Sequence, residues 1–367
     1  MKNLTLNDST QTALLPHIKT TEEMLGEVLA YLNSNGAEAE ITVLPDLGLS
    51  NNTMRMNGGF FTGMFIRWTS QVPFVPVDTT VNSCGVYIFT LKDNVSKNEF
   101  AQLLLQAKRK VDKLGHTWNY ERGNHFITIG AFPDGSPCVV MHASADEYKY
   151  SNSEESLYPY KNCWYDNDIK TYRSEKYPNR YLRYISGDSA KRFVNIAAKL
   201  DKLNRERHYE IAIAIFGNLF DNEYLYAPHY GMPTTSSIAI GCSWTESKFA
   251  LLTAPKKSIY IVEPIKETLH GCDASANLSL NPHGFGVELA SPHIQFKPDS
   301  LYVNGVAFNS DDASLGISGR GIRMRNADDN AIEEYVKKIL SVCHGKPITV
   351  IKPCVSLCST GACATPV

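Results

Sequence analysis

No apolar run in the 367 residues approaches the ~18 that a membrane-spanning helix needs. The opening stretch, MKNLTLNDSTQTALLPHIK, has no apolar block of the signal-peptide kind. Both absences predict a soluble, cytoplasmic chain with no membrane contact. Charge of one sign is missing as well: 36 basic residues face 38 acidic ones, a net of −2. That balance excludes coating of nucleic acid by bulk charge and leaves room for a local basic channel. Short-spaced metal signatures such as CxxC or HExxH are absent, as is any internal repeat. General disorder is excluded by the 43% apolar content, enough for a sizeable core. Nine cysteines, an odd number, without an export signal point to reduced thiols.

What is there reads as mixed α and β. Thr20 to Glu23 forms a possible capping box ahead of an apolar stripe at Met24, Leu25, Val28, Leu29 and Leu32. Ser96 to Glu99 is a second box, followed by Phe100, Leu103, Leu104, Ala107, Val111 and Leu114 at helical spacing, with Gly115 as the stop. EITVL and CGVYIFTL predict strands, and HFITIG with CVVMH predicts a hairpin around PDGSP. A third helix is expected from about Ser189 to Arg207, and a last one over roughly 330–342. YEIAIAIF, SSIAIGC, FALLT, SIYIV and ITVI are read as strands. Residues 145–185, rich in Tyr, Asn, Ser and charge, are expected to be an irregular insertion. The tail from 354 to 367 is Cys-rich, with Cys354, Cys358 and Cys363 available for zinc or left as free thiols on a mobile end. The expected architecture is one α+β domain over 1–367.

Four segments put a His or Cys where a strand meets a Gly-rich or polar turn: NSCGV (Cys84), RGNHF (Asn124, His125), VMHAS (His142) and NPHGFG (His283). APHYG (His229) is a fifth. Thiolate and imidazole together are borderline-soft donors suited to Zn²⁺, Mn²⁺ or Fe²⁺. Any one of these residues alone also reads as a buried, hydrogen-bonded core residue, and HGFG as a plain tight turn.

Taken in order, the segments resemble the RtcB family of RNA-repair and tRNA-splicing ligases, over about Val72 to Pro353. The resemblance implies a single large domain with mixed β-sheets around a central metal and nucleotide cleft. It implies that Cys84 is a metal thiolate, that His125, His142 and His229 are metal ligands, and that Asn124 contacts nucleotide. His283 matches the nucleotide-accepting histidine, with Gly284 and Gly286 letting backbone approach a phosphate, and Lys352 matches a terminal guanine contact. The implied cofactors are GTP and one or two Mn²⁺ ions. The implied substrate is RNA with a 3′-phosphate or 2′,3′-cyclic phosphate end and a 5′-hydroxyl end, joined through a histidine–GMP intermediate.

The chain also departs from the family. Val81 stands where the family has a ligand Asp three residues before the Cys, and the nearest upstream acid, Asp78, is taken as the candidate metal ligand in its place. Thr128 replaces a guanine-binding Glu, which predicts that discrimination against ATP falls by ~10–100-fold. ASADEYK follows His142, Val287 and Glu288 follow HGFG, and Tyr230 replaces an Asn beside His229. For RNA, GISGRGIRMR offers Arg320, Arg323 and Arg325 in a Gly-bearing loop, whereas KRK at 108–110 and RERH at 205–208 read as solvated helix faces. The alternatives to a ligase are an RNA- or nucleotide-binding paralogue without ligation, and a metal-dependent phosphoesterase.

Overall fold

Asp8 sets the first helix. Its carboxylate accepts from the Gln11 N–H while Gln11 Oε1 accepts from the Asp8 N–H, and this reciprocal cap starts α1 at Ser9 and carries it to Leu32. The helix expected to open at Thr20 therefore begins well upstream. Thr20 is interior, its hydroxyl donating to the Pro16 carbonyl. Pro16 inside α1 costs about 3 kcal/mol. Burial of Leu14, Ile18, Leu25, Val28 and Leu29 along one stripe offsets it at about 1.5–3 kcal/mol per side chain.

The computed structural model describes all residues except 34–35, 51, 148–153, 246, 254–256, 265–278, 290–291, 299, 309–321, 326–331, 360 and 365–367. It is an α+β structure, 32% helix and 37% strand, with a sheet that curls into a half-barrel. The other helices are α2 (Thr53–Asn57), α3 (Lys97–Lys113), α4 (Asp188–Phe216) and α5 (Ile332–Cys343). The capping box of Ser96 and Glu99 opens α3 as expected, and Gly115 at φ +80° follows its end. No helix among the described residues is long and apolar enough to cross a membrane.

Three expectations give way here. YEIAIAIF is not a strand but the end of α4, where Ile211, Ala212, Ile215 and Phe216 are buried and Tyr209 and Ile213 exposed. The alternation of apolar residues mimics a strand, yet the buried set has helical spacing and packs on Tyr87, Phe89, Ile127 and Val139. The stretch 145–185 is not simply an insertion. Lys170–Tyr172 and Leu182–Ser186 join Phe74–Pro76 in a small sheet, and Leu157, Tyr165, Leu182 and Tyr184 lie in the core. The Cys-rich tail likewise carries strands: Gly345–Cys358 is one long strand, and Gly361–Ala364 returns against it. Cys354 on that strand is exposed and Cys358 buried.

Two sheets position the site. The larger is antiparallel throughout, in the order Phe220–Pro228, Gly85–Leu91, Pro137–Ala143, Phe126–Ala131, Gly345–Cys358, Ile259–Pro264 and Phe249–Leu252. The other contains Lys2–Asn3, Glu38–Gly48, Thr62–Thr69, Ser237–Ile240 and Tyr230–Thr234. Because Phe220–Pro228 belongs to the first and Tyr230–Thr234 to the second, the chain crosses between them at His229.

Arg325 ties the N-terminal cap to this arrangement. It is buried, not offered to RNA: Nη1 donates to the Phe285 carbonyl at 3.0 Å, Nη2 to the Leu47 carbonyl at 2.8 Å, and Nε to Asp8. Taking the cation away leaves Asp8 and two carbonyls without their donor. Arg325→Met should cost about 3–5 kcal/mol, the range for breaking a buried charged network. The shift of the urea midpoint against the unaltered chain measures it.

Candidate metal centre and its histidine neighbour

Neighbouring strands lie about 4.8 Å apart, so residues at adjacent strand ends on one edge of a sheet meet. Cys84 directly precedes Gly85–Leu91, and His229 directly follows Phe220–Pro228. His142 is next to last in Pro137–Ala143, and His125 directly precedes Phe126–Ala131. The register brings these ends level: Gly85 pairs with Pro228 and Ala143, and His142 pairs with both Val86 and Phe126. Four adjacent strands thus deliver one Cys and three His to the same edge.

The donor atoms converge. Cys84 Sγ lies 3.3 Å from His142 Nε2 and 3.9 Å from His125 Nε2, and His142 Nε2 lies 3.1 Å from His229 Nε2. The donors of Cys84, His142 and His229 are all within 4.8 Å of one another, and all three residues are buried. Second contacts orient the rings. His142 Nδ1 meets the Asn124 carbonyl at 2.9 Å and His125 Nδ1 meets the Asn119 carbonyl at 3.1 Å. A carbonyl only accepts, so both Nδ1 atoms carry the hydrogen and both Nε2 lone pairs face the cluster. The Cys84 carbonyl accepts from the N–H groups of His229 and Tyr230 at 3.0 and 3.2 Å, which pins Cys84 and His229 to each other through the backbone.

Burial first, and neighbouring imidazoles second, hold His142 and His229 well below the ordinary imidazole range. Both are neutral at physiological pH, the state that ligates metal. Thiolate and imidazole donors already stripped of water and turned toward one point fit a transition-metal ion.

His283 comes from a different element. It follows Ser279–Pro282, a strand paired with Cys242–Thr245, and its ring stacks on His229 with centroids 4.7 Å apart. Its Nδ1 lies 2.7 Å from Asp46 Oδ2 and 2.8 Å from the Gly241 carbonyl, and its backbone N–H donates to the same Asp46 oxygen at 3.2 Å. Two acceptors at Nδ1 place the hydrogen there, so the neutral ring keeps its lone pair on Nε2. Asp46, fully buried at the end of an apolar strand, was missed in reading the sequence. The acid inside EITVLPDLG was the available signal, since a carboxylate in an apolar run needs a partner.

The glycines of HGFG have a reason other than phosphate approach. A Cβ on Gly286, whose φ is +70°, would fall 2.3 Å from the Asp46 carbonyl oxygen, and one on Gly284 would fall 3.0 Å from that of Leu252. Both glycines serve close packing within the chain. Asn124 has an exposed side chain and acts through its carbonyl on His142. Asp78 is not turned to the cluster: both of its oxygens are held by Arg183, with Nε 3.0 and 3.1 Å away and Nη2 also donating. Lys352 pairs in register with Ala131, six residues along the strand from His125, or roughly 20 Å at 3.3 Å per residue. The structure sets it at the opposite end of the sheet from the ligands. Thr128 is buried and bonded to Ser356 at 2.8 Å. Tyr230 lies under the Arg55 guanidinium, 4.7 Å from its ring centroid, and its hydroxyl meets Thr62. Arg323 lies on Ile322–Met324, paired with Glu288 in the backbone register, while Arg320 and His270, whose LHGCD segment makes it the competitor to His283 as nucleotide acceptor, fall outside the described residues.

Beneath the centre is a buried polar layer on α4. Of RERH, only Arg205 and Glu206 are solvated; Arg207 and His208 are 2% and 0% exposed. Arg207 Nε donates to Glu147 at 2.7 Å, and His208 stacks flat on Tyr87 at 3.9 Å with Nδ1 on the Asn204 carbonyl. The Asn204 amide donates to the Ser83 carbonyl, next to Cys84. One helical turn separates Asn204 from Arg207 and His208, which puts all three on the face toward the site.

Glu147 carries this layer outward to His116, whose Nδ1 lies 3.4 Å away, while its Nε2 meets Glu210 at 2.9 Å. Glu147 chiefly raises the His116 pKa, burial opposes it, and Glu210 adds to the rise. A raised folded-state value means that the ion pair stabilises in full below the unfolded value of about 6.5 and is lost as pH climbs through the folded one. His116→Asn should therefore be less stable than the unaltered chain near pH 6, and the gap should close by about pH 9. Urea unfolding across that range checks the sign.

No protein-family model matches this chain and no curated protein matches it.

Proposed function

We propose that the chain is a metal-dependent RNA ligase of RtcB-like design, which joins a 3′-phosphate or 2′,3′-cyclic phosphate end to a 5′-hydroxyl end through nucleotidylated His283. The observation that carries this reading is the His283 ring, oriented by Asp46 at 2.7 Å and stacked 4.7 Å from the ligand His229. The carboxylate fixes the ring and can meet positive charge on it, as a nucleophilic imidazole requires, and the stack sets that ring beside the Cys/His cluster.

Asp46 holds the Nδ1 hydrogen and leaves Nε2 as the nucleophile. Nε2 forms a bond to the α-phosphorus of GTP as the bond to the bridging oxygen breaks and pyrophosphate leaves. Positive charge then develops on the ring, and the buried Asp46 carboxylate meets it at Nδ1. A cyclic end is first opened by water, which bonds to phosphorus as the bond to the 2′-oxygen breaks and that oxygen takes the proton. An oxygen of the resulting or original RNA 3′-phosphate next attacks the same α-phosphorus and frees the imidazole. The 5′-hydroxyl finally attacks the RNA phosphorus, giving up its proton and expelling GMP. A metal ion bound by Cys84, His142 and His229 supplies Lewis-acid polarisation of phosphoryl oxygens.

A second reading, a metal-dependent phosphoesterase that uses water in place of the 5′-hydroxyl, draws on a different observation. Gly284 and Gly286 are packed against the chain itself, Arg325 is buried, and Lys352 lies far along the sheet. Residues matched to nucleotide and phosphate contacts are therefore spent elsewhere.

Incubation with α-labelled GTP, in parallel with Mn²⁺, Co²⁺ and Zn²⁺, separates the two. The ligase reading expects an acid-labile, alkali-stable label that His283→Ala abolishes and His270→Ala retains. Asp46→Asn should slow labelling by roughly 10²–10⁴-fold, the span of a positioned acid–base partner. Turnover of a cyclic phosphate without any label would establish the phosphoesterase instead.

A further inference from the structure

We infer that the strand-end cluster takes a single ion of the borderline-soft class, Zn²⁺ or Co²⁺, bonded through Cys84, His142 and His229, in place of a manganese pair. The inference rests on the metal-centre half of the function proposed above and not on its ligase chemistry.

The donor set argues the class of ion. Manganese and magnesium prefer oxygen donors, whereas thiolate and imidazole favour the later, softer metals, and Mn²⁺ is the weakest binder of its row in any such site. Oxygen ligands are withheld here, because the buried carboxylates around the site are engaged. Asp46 holds His283, Asp78 holds Arg183 through both oxygens, Asp146 takes the Ser144 hydroxyl, and Glu147 holds Arg207. Asp78 also packs closely on Gly58, where an added Cβ would fall 2.6 Å from the Asp78 Cβ.

The same facts argue the count. Bonds of ~2.0–2.3 Å put neighbouring donors on one ion about 3–3.7 Å apart. The Cys84–His142 and His142–His229 separations, 3.3 and 3.1 Å, have that size. Among the described residues, a second ion sharing the Cys84 sulfur would have His125 Nε2, 3.9 Å from that sulfur, beside it, while the buried acids just named are engaged. Three close donors on one ion also leave a coordination position open, as in catalytic rather than closed structural sites.

The test uses the full chain stripped of metal by a chelator and titrated with Co²⁺. One equivalent should develop a thiolate-to-cobalt charge-transfer band in the near ultraviolet. Cys84→Ser should remove the band, and Cys354→Ser, at an exposed position, should keep it. Zn²⁺ should displace the cobalt at equal concentration, while Mn²⁺ should fail to do so even at about a thousandfold excess. Asp78→Asn should leave the stoichiometry at one and the cobalt affinity unchanged within about threefold. If that variant does not fold, the ion count of the unaltered chain under excess Mn²⁺ decides the matter. Two ions per chain, ready displacement by Mn²⁺, or a band independent of Cys84 would overturn the inference. A cobalt band with no nucleotide label would sink the ligase reading alone, whereas a label that requires two bound Mn²⁺ would sink this inference and keep the ligase.

Discussion

The site depends on the register of four antiparallel strands. Gly85 must face Pro228 on one side and Ala143 on the other, and His142 must face Phe126. A slip of one residue would turn His142 to the opposite face of the sheet, because side chains alternate with period two. The apolar faces of these strands enforce the register. Tyr87, Phe89, Val139 and Met141 lie under α3 and α4, while Val86, Ile88 and Val140 pack on the other side. Core packing and ligand placement are thus one constraint, and the two-sided burial that rigidifies the strands also strips water from the donors at their ends.

Removing that water has consequences for charge. His142, His208 and His229 are all held well below the usual imidazole range, chiefly by burial. Neutral rings are needed where several sit together, since cations crowded in low dielectric repel strongly. The polar layer of Asn119, Asn204, Arg207 and His208 fixes the backbone around the ligands through carbonyls and ring contacts. Its members give the loops before Cys84 and His125 partners that solvent supplies elsewhere. His229, at the crossing between two sheets, then links this layer to His283 and Asp46 on the far side.

Part of this was legible from local patterns. Ser96 and Glu99 announce α3 because a cap is satisfied within four residues, and the hairpin of Phe126–Ala131 with Pro137–Ala143 is announced by its own turn. The strand-end positions of Cys84, His125 and His142 could be read because each borders a β-rich run, whereas the strand before His229, Phe220–Pro228, carries Asp221, Asn222 and Glu223 and is not among the expected strands. YEIAIAIF could not be read correctly, because its apolar residues satisfy both periods and only the surface beneath α4 selects the helical one. The RERH segment was misread for the same reason. A charged residue on a helix is solvated by default, and only Glu147 and the Thr117 carbonyl make a buried Arg207 tolerable.

By itself the sequence determined the α+β class, the strand ends that carry Cys and His, and the donor chemistry they offer, since these follow from residue type and short-range periodicity. Only the tertiary structure decided which donors meet. It turned Asp78 to Arg183, gave Asp46 to His283, packed Gly284 and Gly286 against the chain's own backbone, and set Lys352 at the other end of the sheet. Each of these outcomes joins residues tens to hundreds of positions apart. What decides them is competition for a partner among groups buried together, and that competition exists only once the strands have packed.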